Sequence, residues 1–376
     1  GFRLNRQFPR SHRSHLLQYD LRHICVMELT THTFASPLTE LLKCKYPIFN
    51  AGMYSVAGHE LCAAVTNAGG VGCIGGLSYT PKTLRQEIRF VKELLVDKEG
   101  TFGVDLLIPQ VGGGARATNY DYTNGALSEL LDVIVEERVK LFICAVGVPP
   151  KWAVDKLHAA GVVCMNMIGA PGHVKKALGV GMDIICAQGT EAGGHTEDIA
   201  TLPLIPLCAD AVKGKVNSFG ASVPIVAAGG FFDGRGLSAA LCLGASGVWI
   251  GTRFIASEEA AASKVHKQRV IEAGAGDTRR SIIFTGRPAR VLSTPYVKSW
   301  EDERPDEIRE MTKKGVVPFA KDLEAGKANL SEGLVAAMGQ GAGGVKEILP
   351  AKDIVRMMID EAMATISSVQ RLQAKL

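Results

Sequence analysis

From Tyr46 onward the chain alternates short apolar runs with longer amphipathic segments. The apolar runs fall at residues 47–50, 71–74, 102–108, 141–146, 162–167, 183–187, 224–228 and 247–250. They have the length and continuous apolarity of strands buried on both faces. Between them, segments such as 60–67, 81–95, 126–139 and 151–160 repeat their apolar positions at helical spacing. Eight strand–helix units within about 230 residues predict an α/β fold of the (β/α)8 TIM barrel type, with a small additional region after strand 8. A doubly wound sheet is the alternative, because periodicity does not reveal strand order. The predicted organisation is a basic arm and lead-in over 1–45 and a barrel over 46–273. An inserted cap or lid over 274–350 and a closing helix over 351–376 complete it.

Three of the predicted strands run into glycine-rich loops. The run 183–187 leads to Gln188-Gly-Thr-Glu-Ala-Gly-Gly-His195, where Gly189, Gly193 and Gly194 precede a single histidine. Glycines there let backbone N–H groups approach a ligand, since no Cβ blocks the way. His195, placed just past them, suits proton transfer near neutral pH. The run 224–228 closes on Gly229 and Gly230, followed by Asp233-Gly-Arg-Gly236 and a helix-like stretch. The run 247–250, with Trp249 and Ile250, closes on Gly251 and Thr252. Loops after the last strands of a barrel commonly bind phosphate through backbone N–H groups, so this pair points to a phosphate-bearing cofactor.

Other residues have plainer readings. Asp233 reads as the N-cap of the following helix. Glu191 reads as solvated, and Arg235 as either a phosphate contact or a surface residue. Gln188, Gly52, Gly229 and Gly230 are also compatible with simple strand-end geometry. His59, His158, His173 and His266 lie in helix-like segments without glycine context and read as surface or core residues. The segment 111–125, polar and glycine-rich with Tyr120 and Tyr122, reads as a loop beside the barrel mouth. Residues 281–297 look extended, and 340–344 form a further glycine-rich loop.

Charge narrows the function classes. The chain carries 42 Lys and Arg against 38 Asp and Glu, but residues 1–26 hold five of those arginines and only Asp20 among the acids. The remainder is balanced at 37 of each, so the body shows no basic excess for nucleic acid. No apolar run suits a membrane span. The basic, acid-poor residues 1–26 could be a mitochondrial transit peptide. The preferred reading is that they lie upstream of a natural start at Met27, with the protein cytoplasmic. Nine cysteines show no CxxC pair and no zinc-like spacing with histidine, so no metal site is expected. Cys73, Cys144, Cys164, Cys186 and Cys242 sit in apolar runs and read as small core residues in a reducing compartment.

Taken in order, several of these pieces resemble the FMN-dependent nitronate monooxygenases, also called 2-nitropropane dioxygenases. They are Asn50-Ala-Gly-Met53, the turn Thr66 to Gly72, Gly103-Val-Asp-Leu106, Gln188 to His195, Ala227-Ala-Gly-Gly230 with Asp233-Gly-Arg235, and Trp249-Ile-Gly-Thr252. Gly339-Gln-Gly-Ala-Gly343 continues the match. The resemblance implies a TIM barrel with FMN at the strand C-termini, acting on a nitronate or nitroalkane with O2 to give a carbonyl compound and nitrite. It places Gly52 and Met53 beside the flavin ring and Gln188 on flavin or substrate. Gly193, Gly230, Gly251 and Thr252 fall around the phosphate, with Gly194, Gly229, Trp249 and Ile250 also at the cofactor and His195 as base. That family usually has Asn where this chain has Asp105, which as an ion would only accept hydrogen bonds at the flavin pyrimidine edge.

Three other functions compete. One is an NAD(P)H-dependent flavin enoyl-thioester reductase, whose loop also carries Gly-Gly-His. Another is a cofactor-free barrel lyase or isomerase for a phosphorylated substrate, which no lysine at a strand end supports. The last is a non-catalytic binding barrel. The partners are small molecules, with no nucleic acid or membrane, and a homodimer is left open.

Overall fold

Eight strands alternate with helices in the computed structural model, which describes residues 34–330 and 337–373. The barrel strands are β1 (Ile48–Asn50), β2 (Gly72–Gly75), β3 (Phe102–Leu107), β4 (Leu141–Ala145), β5 (Val163–Ile168) and β6 (Ile184–Gln188). A two-residue strand, β7 (Gly194–His195), precedes the last two of the barrel, β8 (Ile225–Ala228) and β9 (Gly247–Ile250). All barrel pairings are parallel, in the order β1-β9-β8-β6-β5-β4-β3-β2. A parallel bridge from Phe49 to Val71 joins β1 to β2 and closes the ring. Closure excludes the doubly wound alternative, because β1 has a neighbour on each side. All eight predicted strands are present, with ends displaced by at most one residue.

Alternation along each strand builds two apolar layers. Phe49, Cys73, Ile143, Met165, Cys186, Val226 and Trp249 fill the barrel interior, and Leu38 and Leu42 of helix Pro37–Leu42 pack against them. Ile48, Ile74, Val104, Phe142, Cys164, Ile185, Ala227 and Ile250 face outward into the larger layer between strands and helices. The long C-terminal helix Ala351–Gln373 joins that layer through Ile354, Val355 and Met358. Cys242 departs from its predicted core position: it ends helix Gly234–Cys242 on the exposed face.

After the barrel, β10 (Thr278–Ser281) and β11 (Ala289–Leu292) form an antiparallel hairpin, and β11 also pairs with β7. The stretch read as extended over 281–297 is thus a hairpin return followed by helix Pro295–Glu301. Around it, Ile283, Val291, Val297, Trp300, Ile308 and Met311 make a satellite core. Trp300 donates its indole N–H to Asp322 (3.0 Å) and stacks beneath the Arg304 guanidinium. The reading of residues 1–26 as an arm or leader lies outside the described residues. No helix among the described residues is long and apolar enough to cross a membrane.

Candidate active site

A cavity of about 900 Å3 opens at the C-terminal ends of the barrel strands. Of the residues singled out from sequence, Gly52, Met53, Asp105, Gln188, Gly193, Gly194, His195, Gly229, Gly230, Trp249, Gly251 and Thr252 all line it. Ile250 does not. Its side chain is fully buried in the strand–helix layer, because strand alternation turns it away from Trp249.

The glycines are required by geometry at three places. Gly229 and Gly230 have φ of +105° and +79°, which disfavour any side chain. A Cβ on Gly193 would lie 2.7 Å from the Gly339 nitrogen, so the histidine loop and the 338–339 segment touch backbone to backbone. Gly339 also donates its N–H to Thr252 Oγ1 (2.9 Å). The glycine-rich segment near the C-terminus therefore becomes part of the cavity wall.

His195 is carried on β7, whose register opposite Ala289 fixes it against the hairpin. Gln188 donates its side-chain amide to the His195 carbonyl (2.5 Å), and His195 Nε2 lies 2.9 Å from Thr285 Oγ1. Burial, with a smaller effect from the Arg287 charge, lowers the His195 pKa to about 4. The ring is thus neutral near pH 7, with one lone pair free to take a proton. Thr285 Oγ1 is the partner of Nε2, accepting from it in one tautomer and donating to it in the other. When Oγ1–H turns to the Arg287 carbonyl (3.4 Å), Nε2–H donates to Oγ1 and the lone pair resides on Nδ1.

Thr285 and Arg287 were not legible as site residues. Their only sequence signal is the turn Thr285-Gly-Arg-Pro288, whose Gly286 has φ +69°. Arg287 donates Nε–H to Asn119 Oδ1 (2.9 Å), tying the hairpin to the 111–125 loop. That loop adds Arg116 to the wall, while His173, Lys176 and His266 contribute from helical segments. His266 is buried and bonded to the Ala337 carbonyl (3.0 Å).

Two expectations about polar residues resolve differently. Asp233 is the N-cap, accepting from the Gly236 N–H (3.0 Å), and Arg235 pairs with it at the surface, away from the cavity. Glu191 is not solvated. Its carboxylate accepts from the Thr201 N–H (2.9 Å) and hydroxyl (2.7 Å), capping helix Thr201–Val212, which has no side-chain cap of its own. Elsewhere, His158, Cys164 and Asp183 cluster within 4.8 Å. There Asp183 is already satisfied by His158, the Cys164 N–H and Ser218, while burial holds the Cys164 thiol protonated.

With this geometry in view, comparison with known proteins is direct. The sequence model of the nitronate monooxygenase family matches residues 35–361, and the chain belongs to that family. It is a flavin-dependent oxidoreductase on a TIM barrel. A hydroxy-methyl-oxo-octahydroindene-carboxyl-CoA dehydrogenase of Rhodococcus jostii is 38% identical over 72% of this chain and 69% of its own length. Among solved structures, nitroalkane oxidase from Streptomyces ansochromogenes superposes with a TM-score of 0.72 at 27% identity, covering 89% of this chain and all of that one. FabK from Thermotoga maritima gives 0.73 at 29% identity, covering 90% and 100%.

Proposed function

We propose that the cavity holds FMN and that the protein oxidises alkyl nitronates, and the nitroalkanes that yield them, with O2 to a carbonyl compound and nitrite. The observation that carries this reading is a histidine, His195, on the wall of a large cavity at the strand C-termini that eleven glycines also line. The residues fit a flavin phosphate ester. Gly193, Gly229, Gly230, Gly251 and Thr252 offer close backbone approach for the phosphate. Gly52 and Met53 border the ring, and Asp105 Oδ1 is buried without a hydrogen-bond partner, open to a ligand.

Flavin, when bound, supplies the electron acceptor for an electron-rich nitronate. The chain's own residues do the rest. His195 takes the α-proton of a neutral nitroalkane at the nitrogen that Thr285 leaves free, and such a positioned base contributes typically ~10²–10⁴-fold. Its low pKa argues against a lasting imidazolium, so the positive charge for the anion is assigned to Arg287. The Gln188 bond to the His195 carbonyl holds the loop in place. The cysteines of the described residues are unpaired, in keeping with the reducing cytoplasm as its location.

The test is purification followed by oxygen-uptake and nitrite assays on nitronates of increasing chain length. A colourless protein that does not take up FMN overturns the reading. A second reading, chemistry on an acyl thioester, is favoured by Arg116, His173, Lys176 and Arg287 among the cavity-lining residues and by the CoA ester in the Rhodococcus relative's name. Anaerobic NADH or NADPH separates the two, because rapid flavin bleaching supports the reductase.

A further inference from the structure

Asp105 lies on β3 at the cavity wall, 3% exposed, with Oδ1 lacking any hydrogen-bond partner. Its surroundings carry no compensating charge. Cys73 on β2 and Cys186 on β6 share the barrel interior with it as thiols, and Cys144 on the neighbouring β4 points into the outer layer, all three held protonated by burial. Asn50 on β1 spends its amide on the Cys73 N–H (2.9 Å) and C=O (2.8 Å). Gly52 presses its backbone against the carboxyl so closely that an added Cβ would lie 2.6 Å from the Asp105 Cβ. No Lys, Arg or His forms an ion pair with it among the described residues, and the cavity arginines Arg116 and Arg287 do not offset its burial. Burial alone raises its pKa to about 8.

We propose that Asp105 works as a neutral carboxylic acid, its O–H donating to and its C=O accepting from a lactam edge of the bound ligand, so that the ligand is released when the acid ionises. The inference rests on the flavin reading of the cavity, since the flavin pyrimidine ring presents such an edge, an N–H beside a C=O. An ionised carboxylate could accept from that N–H but would set its other oxygen against the carbonyl lone pairs. It would also bury an unpaired charge, which costs far more than burying the neutral acid. Only the protonated form therefore matches both ligand atoms. Above the ionisation, each ligand bound must bring one proton from solvent.

The experiment titrates FMN into the full chain stripped of flavin, following fluorescence quenching from about pH 7 to about pH 9.5. Once past the ionisation, Kd is expected to rise about tenfold per pH unit. Asp105→Asn, which donates and accepts at any pH, is expected to bind with a nearly flat profile. Every other titrating group on the wall is unchanged in that variant, so its profile reports their share. A wild-type Kd that ignores pH, or that moves equally in Asp105→Asn, overturns the proposal. Failure to bind FMN at any pH overturns the flavin reading as well. If the variant does not fold, infrared spectra of the wild type decide. A protonated-carboxyl stretch that shifts on FMN addition at about pH 7 supports the proposal, and its absence overturns it.

Discussion

His195 Nε2 and Thr285 Oγ1 lie 2.9 Å apart, across 90 residues of sequence. The bond joins the barrel's histidine loop to the tip of the hairpin that follows the barrel. It exists because β11 pairs with β7, which brings the hairpin turn over the ring. Thr285 thereby orients the ring of the proposed base without occupying the barrel itself.

Removing that hydroxyl tests the relationship. Thr285→Val keeps the side-chain shape and removes the hydrogen-bond partner of His195 Nε2. Turnover of neutral nitroalkanes should fall roughly tenfold, while oxidation of pre-formed nitronates stays within about twofold. Paired oxygen-uptake assays measure both. Equal losses on the two substrates would show that Thr285 acts only on local folding.

His195→Asn goes further. A neutral nitroalkane must lose its α-proton first, and a positioned base is worth ~10²–10⁴-fold in that step. Nitronates have already lost it, so their oxidation should persist at a reduced level while nitroalkane turnover collapses. Loss of both activities together, with FMN still bound, would remove His195 from the role of base.

The depressed His195 pKa fixes a pH signature. The ring stays neutral until pH falls to about 4, so the acid limb of kcat/KM for neutral nitroalkanes should sit well below the ordinary histidine value near 6.5. The same shift has a stability consequence of definite sign. The unfolded chain takes up this proton below about 6.5 and the folded chain does not, so this group's contribution to stability declines as pH falls from about 6.5 toward about 4. An acid limb at 6.5 would contradict the buried geometry.

Cofactor retention should respond to the glycine wall. Gly230→Leu places a branched side chain at φ +79°, and Gly193→Ala drives a Cβ into the Gly339 nitrogen. FMN content per chain, read from the visible spectrum of the purified variants, should drop in both. Full occupancy in Gly230→Leu would move the phosphate to another part of the cavity.

Periodicity made the barrel legible because each strand is a short, mainly apolar run, most of them followed closely by glycine, and all eight emerged within one residue of their observed ends. The same glycines marked the cavity, since backbone conformation and close approach are local demands that leave a local trace. Glu191 shows where that logic stops. In sequence it is a charged residue in a loop, and only the distant start of helix Thr201–Val212 gives its carboxylate donors to meet.

What the sequence by itself determined is therefore the set of strands, the loop that carries His195 and the glycines that line the cavity. The tertiary structure alone decided that Ile250 turns away from it, that Thr285 and Arg287 reach it from a hairpin about 90 residues beyond the histidine, and that Asp105 sits without a counter-charge. The physical reason is one of range. Strand formation and glycine geometry are written in neighbouring residues, whereas burial, tautomer and charge depend on which distant side chains closure of the barrel brings together.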